Sequence, residues 1–544
     1  MDILELTIKE LIKSKAKTSA DLAQIKRKAA KKYKIAFPSN VDLLKAYHKL
    51  LKKKRIKKSK KIENLLRTRP IRSLSGIVNI SVLTKPYPCP GKCLYCPTEK
   101  GIPKSYVSGE PAVERAKRLN YNPYLQAKRR IEMLESESHP TDKIELRIVG
   151  GTWSYYPKKY QTWFIKRCFD AGNQKSGKNF EGTQRINEKA KHRIVGLSIE
   201  TRPDFITEKE IKRLRSLGVT MVELGVQSIY DDVLELNKRG HGVKSTILAT
   251  KLLKDAGFKV LYQMMPNLPA SNLKKDKKMF EEIFENSSFQ PDLLKIYPTA
   301  IVKNTLLYKW WKAGKYKPYT DNQLINLVKS IKKMVPYYVR IQRITRDIPS
   351  KEILAGPAKI SNLRQILAEK MVKENWQCKC IRCREVKEKL IQKLKLFRQD
   401  YEASGGKEVF LSFEDKNRTK LYSLLRLRIP QYAENGSRYI IPVLRGAAII
   451  REVHTYGQQL PLRREAIPEV SPQHKGLGKK LIKEAEKIAK NEFGLHPVKS
   501  VKGCAAKPQF NGVNKIAVIS GIGVRNYFRK LGYMLEDTYM VKKI

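Results

Sequence analysis

The sequence contains no run of about 18 apolar residues, which is the least that a membrane-spanning helix needs. Its first stretch, MDILELTIKELIKSK, carries charges of both signs and so does not match a secretory signal peptide. Both absences argue against a membrane-anchored or secreted protein. We therefore expect a cytoplasmic location and no membrane segment.

Negatively charged residues are scarce, with 52 Asp and Glu against 111 Lys and Arg among 544 residues, a formal net charge of +59. A disordered polycation is excluded because 41% of the residues are hydrophobic, and at ~150 residues per domain the length predicts three or four domains. So large a positive charge predicts a polyanionic partner, nucleic acid before an acidic membrane surface. A lysine-rich host proteome is the alternative explanation.

Residues 1–75 concentrate the positive charge, with 23 Lys and Arg against six Asp and Glu. Their pattern predicts short amphipathic helices that end in KKKRIKKSKK at 52–61, where eight residues are basic. Such a segment is typical of an arm that neutralises phosphates and releases their counterions. We predict that it binds nucleic acid, and a solvated helix face is the alternative.

Cysteines are few, and six of the eight form two clusters: Cys89, Cys93 and Cys96, and Cys378, Cys380 and Cys383. A disulfide framework would spread its cysteines along a small secreted chain, whereas clustered thiols in a large chain are typical of metal sites. Cys168 and Cys504 stand alone and are expected to be packing residues.

Residues 76–360 predict a parallel α/β domain, because β-rich runs alternate with amphipathic helical stretches. Six units of this kind fit a full or partial (β/α) barrel, in which the chemistry lies at the C-terminal ends of the strands. The six predicted strands lie at 77–84, 144–151, 193–200, 219–227, 259–266 and 292–298.

The rest of the chain predicts a connector and a second domain. Residues 361–404 are charged, are predicted to be helical up to about residue 400, and contain the second cysteine cluster. Residues 405–544 predict another α/β domain, in which strand-like runs flank one strongly amphipathic helix at 479–493.

The first cysteine cluster has the spacing CxxxCxxC, with Tyr95 before its last cysteine, and it follows a predicted strand. Three thiolates can hold three irons of a [4Fe–4S] cluster and leave the fourth iron open for another ligand. Zinc is the alternative, and it would need a fourth Cys or His.

CPGKCLYCP resembles the signature of radical S-adenosylmethionine (SAM) enzymes, CxxxC-x-aromatic-C. Among these enzymes the chain is similar to the catalytic subunit of Elongator, a tRNA-modifying enzyme, from about residue 69 to the C-terminus. The stretches that carry the resemblance include IRSLSGIVNISVLTKPYPCPGKCLYCP, GEPAVERAKRLNYNPYLQAKRRIE, VGGTW, SIETRPD, VELGVQSIYDDVLELNKRGH, MMPNLP, KIYPT, QRITRDIP, CKCIRCRE, IREVHTYG, QHKGLGKKLIKEAE and KIAVISGIGVRNYFRKLGY.

The resemblance implies an α/β fold in which a radical SAM partial barrel is joined to a GNAT acetyltransferase domain. In radical SAM enzymes the open iron binds SAM, and one electron from the cluster cleaves SAM to give a 5′-deoxyadenosyl radical. Strand-end positions make Gly150, Gly151, Glu200, Arg202 and Gln227 candidate SAM contacts, with tight turns or ordinary loop residues as the alternative. Lys295 and Tyr297 are candidate catalytic residues near the radical or the RNA.

The sequence from Gln473 to Gly478, QHKGLG, precedes the clear helix of the second domain and would place backbone N–H groups toward a pyrophosphate. A lone GxG is usually a turn, but in this order of elements it resembles the acetyl-CoA site of the GNAT fold. The resemblance implies acetyl-CoA contacts at Glu452, Val453, His454, Thr455, Gln473, Gly476, Leu477, Gly478, Lys479, Tyr527 and Phe528, with Tyr527 also a catalytic candidate. It also implies that Lys143, in the barrel, reaches the cofactor.

Cys378, Cys380 and Cys383 form CxCxxC and predict zinc with an unidentified fourth ligand. The resemblance supports a structural metal here, which would hold the barrel and the acetyltransferase domain together.

The resemblance also implies the reaction. The radical takes hydrogen from the acetyl methyl group, the carbon radical adds to carbon 5 of the wobble uridine of tRNA, and thioester hydrolysis leaves 5-carboxymethyluridine. The expected partner is tRNA, bound at the anticodon stem–loop and the body. Whether the chain acts alone, as a homodimer or in an Elongator-like assembly stays open.

Two other functions compete with this prediction. One is a protein lysine acetyltransferase with a structural Fe–S barrel, which the basic charge disfavours because lysine-rich tails would be repelled. The other is a non-catalytic tRNA-binding scaffold, which the intact CxxxCxxC and QxxGxG motifs disfavour.

Some positions depart from the family pattern. Gln263 and Asn267 stand where His and Asp are common, and Phe528 replaces the second of two tyrosines. Residues 495–514 are expected to be an insertion.

Overall fold

The computed structural model describes residues 2–387, 393–431, 439–460, 472–473, 475–494 and 512–544. Most of the predicted insertion at 495–514, together with Cys504 and His474, lies outside these residues. No helix in the described ranges combines the length and the apolar character that crossing a membrane requires.

Four amphipathic helices begin the chain, as the sequence predicts. Their apolar faces enclose a small core that includes Leu43, Leu44, Tyr47 and Leu50. The eight basic residues at 52–61 are all exposed. The helices are α1 (Ile3–Lys13), α2 (Ser19–Tyr33), α3 (Asn40–Lys52) and α4 (Lys60–Leu66).

The central domain is a sheet of seven parallel strands in the order β1-β2-β3-β4-β5-β6-β8, which stays open between β1 and β8. The partial-barrel prediction is therefore confirmed, with one strand more than the six predicted. A two-stranded ribbon, β7 with β9, lies apart from this sheet. The strands are β1 (Val78–Leu83), β2 (Lys143–Val149), β3 (Arg193–Thr201), β4 (Met221–Gln227), β5 (Lys259–Met264), β6 (Leu293–Ile296), β7 (Ile301–Val302), β8 (Arg340–Arg343) and β9 (Ile353–Ala355).

Ten helices lie between or beside these strands, and several of their apolar faces join the strands in one large core. They are α5 (Pro111–Lys117), α6 (Pro123–Ser136), α7 (Lys158–Asn173), α8 (Phe180–Asn187), α9 (Glu208–Ser216), α10 (Asp231–Leu236), α11 (Val243–Asp255), α12 (Leu273–Glu285), α13 (Leu306–Lys312) and α14 (Asp321–Met334). Cys168 on α7 is fully buried in that core, as expected for a packing residue.

The connector is only partly helical. Helices α15 (Leu363–Lys373) and α16 (Ile381–Arg384) agree with the prediction. The prediction of helix up to about residue 400 is wrong, because β10 (Lys395–Glu402) is an edge strand that pairs antiparallel with β11 (Gly406–Glu414).

The C-terminal domain is a seven-stranded mixed sheet in the order β10-β11-β12-β13-β14-β16-β15. Only β13 and β14 run parallel, and they pair over residues 447–450 alone. Since β13 continues to Thr455, its second half leaves the β14 side and opens a wedge in the sheet. The remaining elements are β12 (Leu421–Pro430), β13 (Ala447–Thr455), β14 (Lys515–Val518), β15 (Met534–Glu536), β16 (Tyr539–Lys543), α17 (Leu477–Phe493) and α18 (Arg525–Arg529).

A buried network of ion pairs joins the two sheets. Asp292, which precedes β6, accepts hydrogen bonds from both Nη atoms of Arg451 on β13. Arg451 also donates to Glu408 on β11, and Arg428 on β12 binds Glu408 and Asp255. These pairs fix the second domain on the amino-terminal side of the barrel strands.

Candidate functional site

The C-terminal ends of the barrel strands surround a cavity of about 340 Å³, here called the mouth cavity. It brings together most of the residues predicted for the radical chemistry. They are Cys89, Cys93, Cys96, Gly151, Glu200, Arg202, Gln227, Lys295 and Tyr297. The remaining residue of that group, Gly150, is absent from the cavity lining.

Gly150 and Gly151 directly follow β2 and have positive φ angles of 117° and 55°. A Cβ on Gly150 would overlap the Oγ1 atom of Thr84, so this glycine is required by the close approach of the chain after β1. Gly151 faces the cavity instead. Gly150 is therefore required by a steric contact, whereas Gly151 borders the cavity.

The loop with the first cysteine cluster forms one wall of the mouth cavity. Cys89 Sγ lies 3.6 Å from Thr152 Oγ1, and Arg239 Nη1 donates to Cys93 Sγ over 3.5 Å. Burial raises the pKa of Cys96 to about 12. A Cβ at Gly91 would lie 2.7 Å from Arg202 Nη1, so glycine at this position lets the Arg202 guanidinium group approach the cysteine loop.

Five residues that line this cavity have a buried polar atom without a hydrogen-bond partner among the described residues, and Arg202 Nη1 and Gln227 Oε1 are two of these atoms. Arg202 uses its Nε and Nη2 on the two carboxylate oxygens of Asp204, at 2.9 and 2.8 Å, which leaves Nη1 over the cysteine loop. An unpaired guanidinium donor and an amide acceptor fit the carboxylate and amino groups of SAM.

A charged cluster closes the bottom of the mouth cavity. Lys295 donates to Glu200 over 3.2 Å and pairs with Glu223, which also accepts from Arg147 over 2.7 Å. Burial opposes ionisation of Glu223, but Arg147 and Lys295 hold its pKa at about 2. Gln263, one of the departures from the family pattern, donates to Glu200 at 3.2 Å and to Glu223 at 3.4 Å. It therefore takes part in this cluster.

The sequence analysis missed Arg147 and Glu223, and also Tyr106, which donates to Glu200 over 3.1 Å. The sequence does contain a pattern that could have identified Arg147 and Glu223. Both are ionised side chains inside apolar β runs, at positions where a strand covered on both faces normally carries Val, Ile or Leu. Tyr106 lies in a loop and carries no such signal.

A second cavity of about 1,800 Å³, the lower cleft, opens at the amino-terminal ends of the barrel strands, between the barrel and the C-terminal domain. The α3–α4 region also lines it, through Lys58 and Lys60. It gathers every residue predicted for acetyl-CoA: Lys143, Glu452, Val453, His454, Thr455, Gln473, Gly476, Leu477, Gly478, Lys479, Tyr527 and Phe528.

The wedge between β13 and β14 forms part of the cleft wall, because residues 452–455 lie beyond the last β13–β14 pair. The side chains of Glu452 and His454 are engaged elsewhere. Glu452 binds Arg426 at 2.9 Å and Lys259 at 3.2 Å, and His454 Nε2 lies 2.7 Å from Ser75 O. A ligand in the wedge would therefore meet this stretch chiefly through its backbone.

Helix α17 begins in the cleft. Gly476 precedes it with a φ of 77°, and a Cβ there would have no heavy atom within 4 Å, so the first turn of the helix is open. Lys143 Nζ donates to Gln473 Oε1 over 2.7 Å, which brings the barrel to the QxxGxG segment. Burial lowers the pKa of Lys143 to about 8.

The two aromatic candidates differ in their surroundings. Tyr527 is 36% exposed, whereas Phe528 is 5% exposed and packs in the core of the C-terminal domain. A Cβ on Gly478 would lie 3.4 Å from the Tyr527 hydroxyl. Tyr527 therefore presents its hydroxyl group at the start of α17, while Lys295 and Tyr297 line the other cavity.

Strand β2 runs from one cavity to the other. Lys143 and Glu145 line the lower cleft, and Arg147 lines the mouth cavity. Seven residues of strand span ~20 Å. Glu145 and Arg147 are successive residues on one face of β2. On β5, Leu261 alone lies between Lys259 of the lower cleft and Gln263 of the mouth cavity on the same face, so one layer of side chains separates the cavities there.

Cys378, Cys380 and Cys383 converge near α14. Their sulfurs lie within 4.8 Å of one another, the only such group of three ligand atoms in the described residues. Lys332 Nζ donates to Cys383 Sγ over 3.2 Å. Thiolates on one tetrahedral zinc are ~3.8 Å apart, from bonds of ~2.3 Å, so this group fits one ion. In a four-iron cluster each thiolate binds a different iron, which requires wider spacing and suits the first cluster.

Comparison with known proteins agrees with this geometry. The family models for the Radical SAM superfamily and for the Radical_SAM C-terminal domain match residues 87–283 and 291–373. The Radical SAM superfamily match implies that the chain binds an Fe–S cluster and SAM. The chain is 45% identical over 558 residues to a tRNA uridine(34) acetyltransferase of Methanocaldococcus infernus, covering 100% of this chain and 98% of the relative.

Two further relatives extend the match. Human Elongator complex protein 3 is 37% identical over 573 residues, covering 100% of this chain and 98% of its own. A solved structure of archaeal Methanocaldococcus infernus Elp3 with an N-terminal deletion superposes with a TM-score of 0.73 at 44% identity, over 87% of this chain and 100% of that one. With both cavities present in a chain similar to these relatives from end to end, the protein belongs to the family of tRNA uridine(34) acetyltransferases and Elongator complex protein 3.

Proposed function

We propose that this chain is a tRNA uridine(34) acetyltransferase that uses acetyl-CoA and radical SAM chemistry to form 5-carboxymethyluridine at the wobble position. One observation carries the proposal. The thiol-lined mouth cavity and the wedge-shaped lower cleft lie at opposite ends of one sheet, with one layer of side chains between them. Two unrelated activities would not require this proximity.

At the mouth cavity Cys89, Cys93 and Cys96 would hold the [4Fe–4S] cluster. With SAM bound, the cluster supplies a radical that can take hydrogen from an unreactive C–H bond. Arg202 and Gln227 would orient SAM through their unpaired atoms, and Gly151 leaves room for it. Lys295 is held by Glu200 and Glu223 as a fixed cation, which suits it to position an anionic or carbonyl group.

At the lower cleft the backbone of residues 452–455 and the open first turn of α17, which includes Leu477, Gly478 and Lys479, would hold the pantetheine and pyrophosphate of acetyl-CoA. Gln473 and Lys143 would close over the cofactor from the barrel side. Tyr527 would donate a proton or hydrogen bond near the thioester, while Phe528 supports its ring from the core.

The other parts have supporting roles in this proposal. The exposed cations of 52–61 would bind the tRNA backbone, and we propose zinc at Cys378, Cys380 and Cys383 as the metal that holds the connector on the barrel. We further propose that the enzyme acts in the cytoplasm.

Turnover by the whole chain is the direct test. We expect anaerobically reconstituted protein with SAM, a reductant, acetyl-CoA and a tRNA carrying uridine 34 to give 5-carboxymethyluridine, detected by nucleoside mass spectrometry. The same tRNA with cytidine 34 is the matched control and should stay unmodified. Unmodified uridine together with acetylation of a protein lysine would favour the acetyltransferase alternative and refute the proposal.

The affinity for acetyl-CoA should depend on pH through Lys143, whose pKa burial lowers to about 8. Below pH 8 the ammonium group is charged and attracts the anionic cofactor, and above pH 8 the charge is lost. We therefore expect binding to weaken as the pH rises through this value, as measured by calorimetric titration of the tRNA-free protein.

The matched variant for this effect is Lys143→Arg, because a guanidinium group stays charged over the whole range. Its affinity should be nearly independent of pH, and that of Lys143→Met should be uniformly weak. An equally steep pH dependence in Lys143→Met would assign the effect to another group.

A further inference from the structure

The segment at residues 299–320 has an unusual composition. Its 22 residues, TAIVKNTLLYKWWKAGKYKPYT, include five lysines, five aromatic residues and no Asp or Glu, whereas aromatics make up 8% of the whole chain. All five lysines are exposed. In the described parts of the chain none of the five forms an ion pair. The segment therefore presents unneutralised positive charge beside aromatic rings.

This segment is fixed at the rim of the mouth cavity. Its residues Ala300 and Val302 line that cavity. At the start of α13, Leu307 N donates to Leu94 O over 2.9 Å, which ties the helix to the loop of the first cysteine cluster. At the other end of the segment, Tyr316 donates its hydroxyl hydrogen to Asn267 O over 2.7 Å. The helix between these contacts is thus held at a constant distance from the cysteine loop.

Two rings of α13 form what we call the α13 platform, Tyr308 and Trp311. They are three residues apart and therefore share a face of the helix, with ring centroids 6.0 Å apart and a tilt of 34° between the planes. Both are half-buried, and Lys312 Nζ lies 5.3 Å from the centre of the Tyr308 ring. The platform thus combines aromatic surface with a nearby cation.

A second aromatic group, on α7, differs from the platform in its charge pattern. Trp163 on α7 is 45% exposed and belongs to a row of rings that includes Tyr160. Three cations of α7 are paired with carboxylates, because Lys158 pairs with Glu210, and Lys166 and Arg167 both pair with Asp170. Lys85 Nζ lies 5.1 Å from the centre of the Tyr160 ring. The α7 row therefore has carboxylates beside most of its cations, whereas residues 299–320 contain no Asp or Glu.

We propose that the α13 platform binds unpaired bases of a single-stranded RNA loop, next to the nucleotide that enters the mouth cavity. Stacking on Tyr308 and Trp311 would hold the bases, and the five lysines would hold the phosphates. A double helix does not expose its base faces, so the platform would select a loop over a stem. This inference deepens the proposed function and rests on it, because the target uridine of that function lies in such a loop.

Binding of two RNA probes by the full chain tests the inference without turnover. One probe is a stem–loop with the anticodon-loop sequence, and the other is the same stem closed as a blunt duplex, both followed by fluorescence anisotropy at one fixed salt concentration. We expect Tyr308→Ala and Trp311→Ala each to weaken stem–loop binding by about fivefold or more, as loss of one stacked base does, and to leave duplex binding unchanged.

Matched variants separate stacking from packing. Trp311→Phe keeps a ring and should retain most of the affinity, and Trp163→Ala removes an exposed ring of the same type from α7, outside the platform, and should change neither probe. Lys312 is exposed, so Lys312→Gln should leave the fold intact and weaken binding of both probes. In a separate titration over several salt concentrations, it should also make the binding less sensitive to salt. Equal stem–loop affinity of Trp311→Ala and wild type, or equal losses on both probes, would overturn the inference.

The outcomes also separate this inference from the proposed function. If the wild type modifies uridine 34 while Trp311→Ala binds the stem–loop normally, the proposed base stacking on the α13 platform is wrong and the proposed reaction is supported. A second outcome is that the wild type makes no modified uridine but still prefers the stem–loop over the duplex, with that preference depending on Tyr308 and Trp311. In that case RNA binding by the platform is supported and the proposed reaction is wrong.

Discussion

Cys93→Ala is expected to abolish formation of modified uridine, the largest effect of any single substitution considered. The residue is 9% exposed, its thiol receives a hydrogen bond from Arg239, and it lies between the other two cysteines of the loop. Without it the cluster would lose one of three protein ligands, and the remaining two could not hold a four-iron site with an open iron. Purified variant should lack the visible absorbance of an Fe–S cluster and its iron.

The same sample distinguishes the two thiol sites. Because Cys378, Cys380 and Cys383 form a separate group, elemental analysis should find zinc retained while iron is lost. Acetyl-CoA binding should also persist, since the lower cleft shares no lining residue with the mouth cavity. Cys168→Ala, which removes a buried thiol outside both groups, should keep iron, zinc and activity. Iron content equal to wild type in Cys93→Ala would contradict the assignment of the loop.

Asp292→Ala is expected to destabilise the folded chain by roughly 3–5 kcal/mol, because it leaves buried cations without their partner. The carboxylate accepts from Arg451 at 2.9 Å and from Val260 N at 2.8 Å, and it lies 3.6 Å from Arg426. Burial opposes its ionisation, but these arginines and Lys254 hold the pKa of Asp292 below its ordinary value. Its contribution is therefore fully present above about pH 4 and is lost only as the pH falls further.

Urea unfolding at neutral pH measures this effect, since urea leaves charges unscreened. The matched control is Glu492→Ala, which removes an ion pair of 2.6 Å with Arg398 at the surface, where the two side chains are 40% and 35% exposed. That substitution should cost about 1 kcal/mol or less, because water already solvates both groups. Similar losses for the two variants would mean that the buried network contributes no more than a surface pair.

Strands with an apolar pattern were predictable, and strands defined by pairing were not. The six predicted barrel strands carry runs of Val, Ile and Leu, and all six are present. The seventh, β8, has the sequence RIQR and joins the sheet by pairing with β6. Strand β10 has the sequence KLFRQDYE, and its mostly polar, exposed residues suggest a helix until its pairing with β11 is known. Edge strands are half-solvated, so periodicity alone identifies them poorly.

The sequence also assigned the candidate residues to chemical types without revealing all of their surroundings. The CxxxCxxC and QxxGxG motifs each lie within a few consecutive residues, so both could be identified from short stretches of sequence. Glu223 and Arg147 are 76 positions apart and meet only because β2 and β4 lie in one curved sheet. Gln263 likewise acquires its partners Glu200 and Glu223 only from the sheet.

The sequence alone determined the chemical character of the parts: two thiol clusters, a glycine-containing QxxGxG turn and a large positive charge, each set by residue type and short spacing. The tertiary structure decided how these parts are combined. Because the parallel strands of the barrel share one direction, residues at their two ends fall into two cavities. Lys143 thus meets Gln473 across 330 positions while Gly151, eight residues further on, faces the cysteines. No local pattern encodes that separation, since it depends on the length and direction of β2 within the sheet.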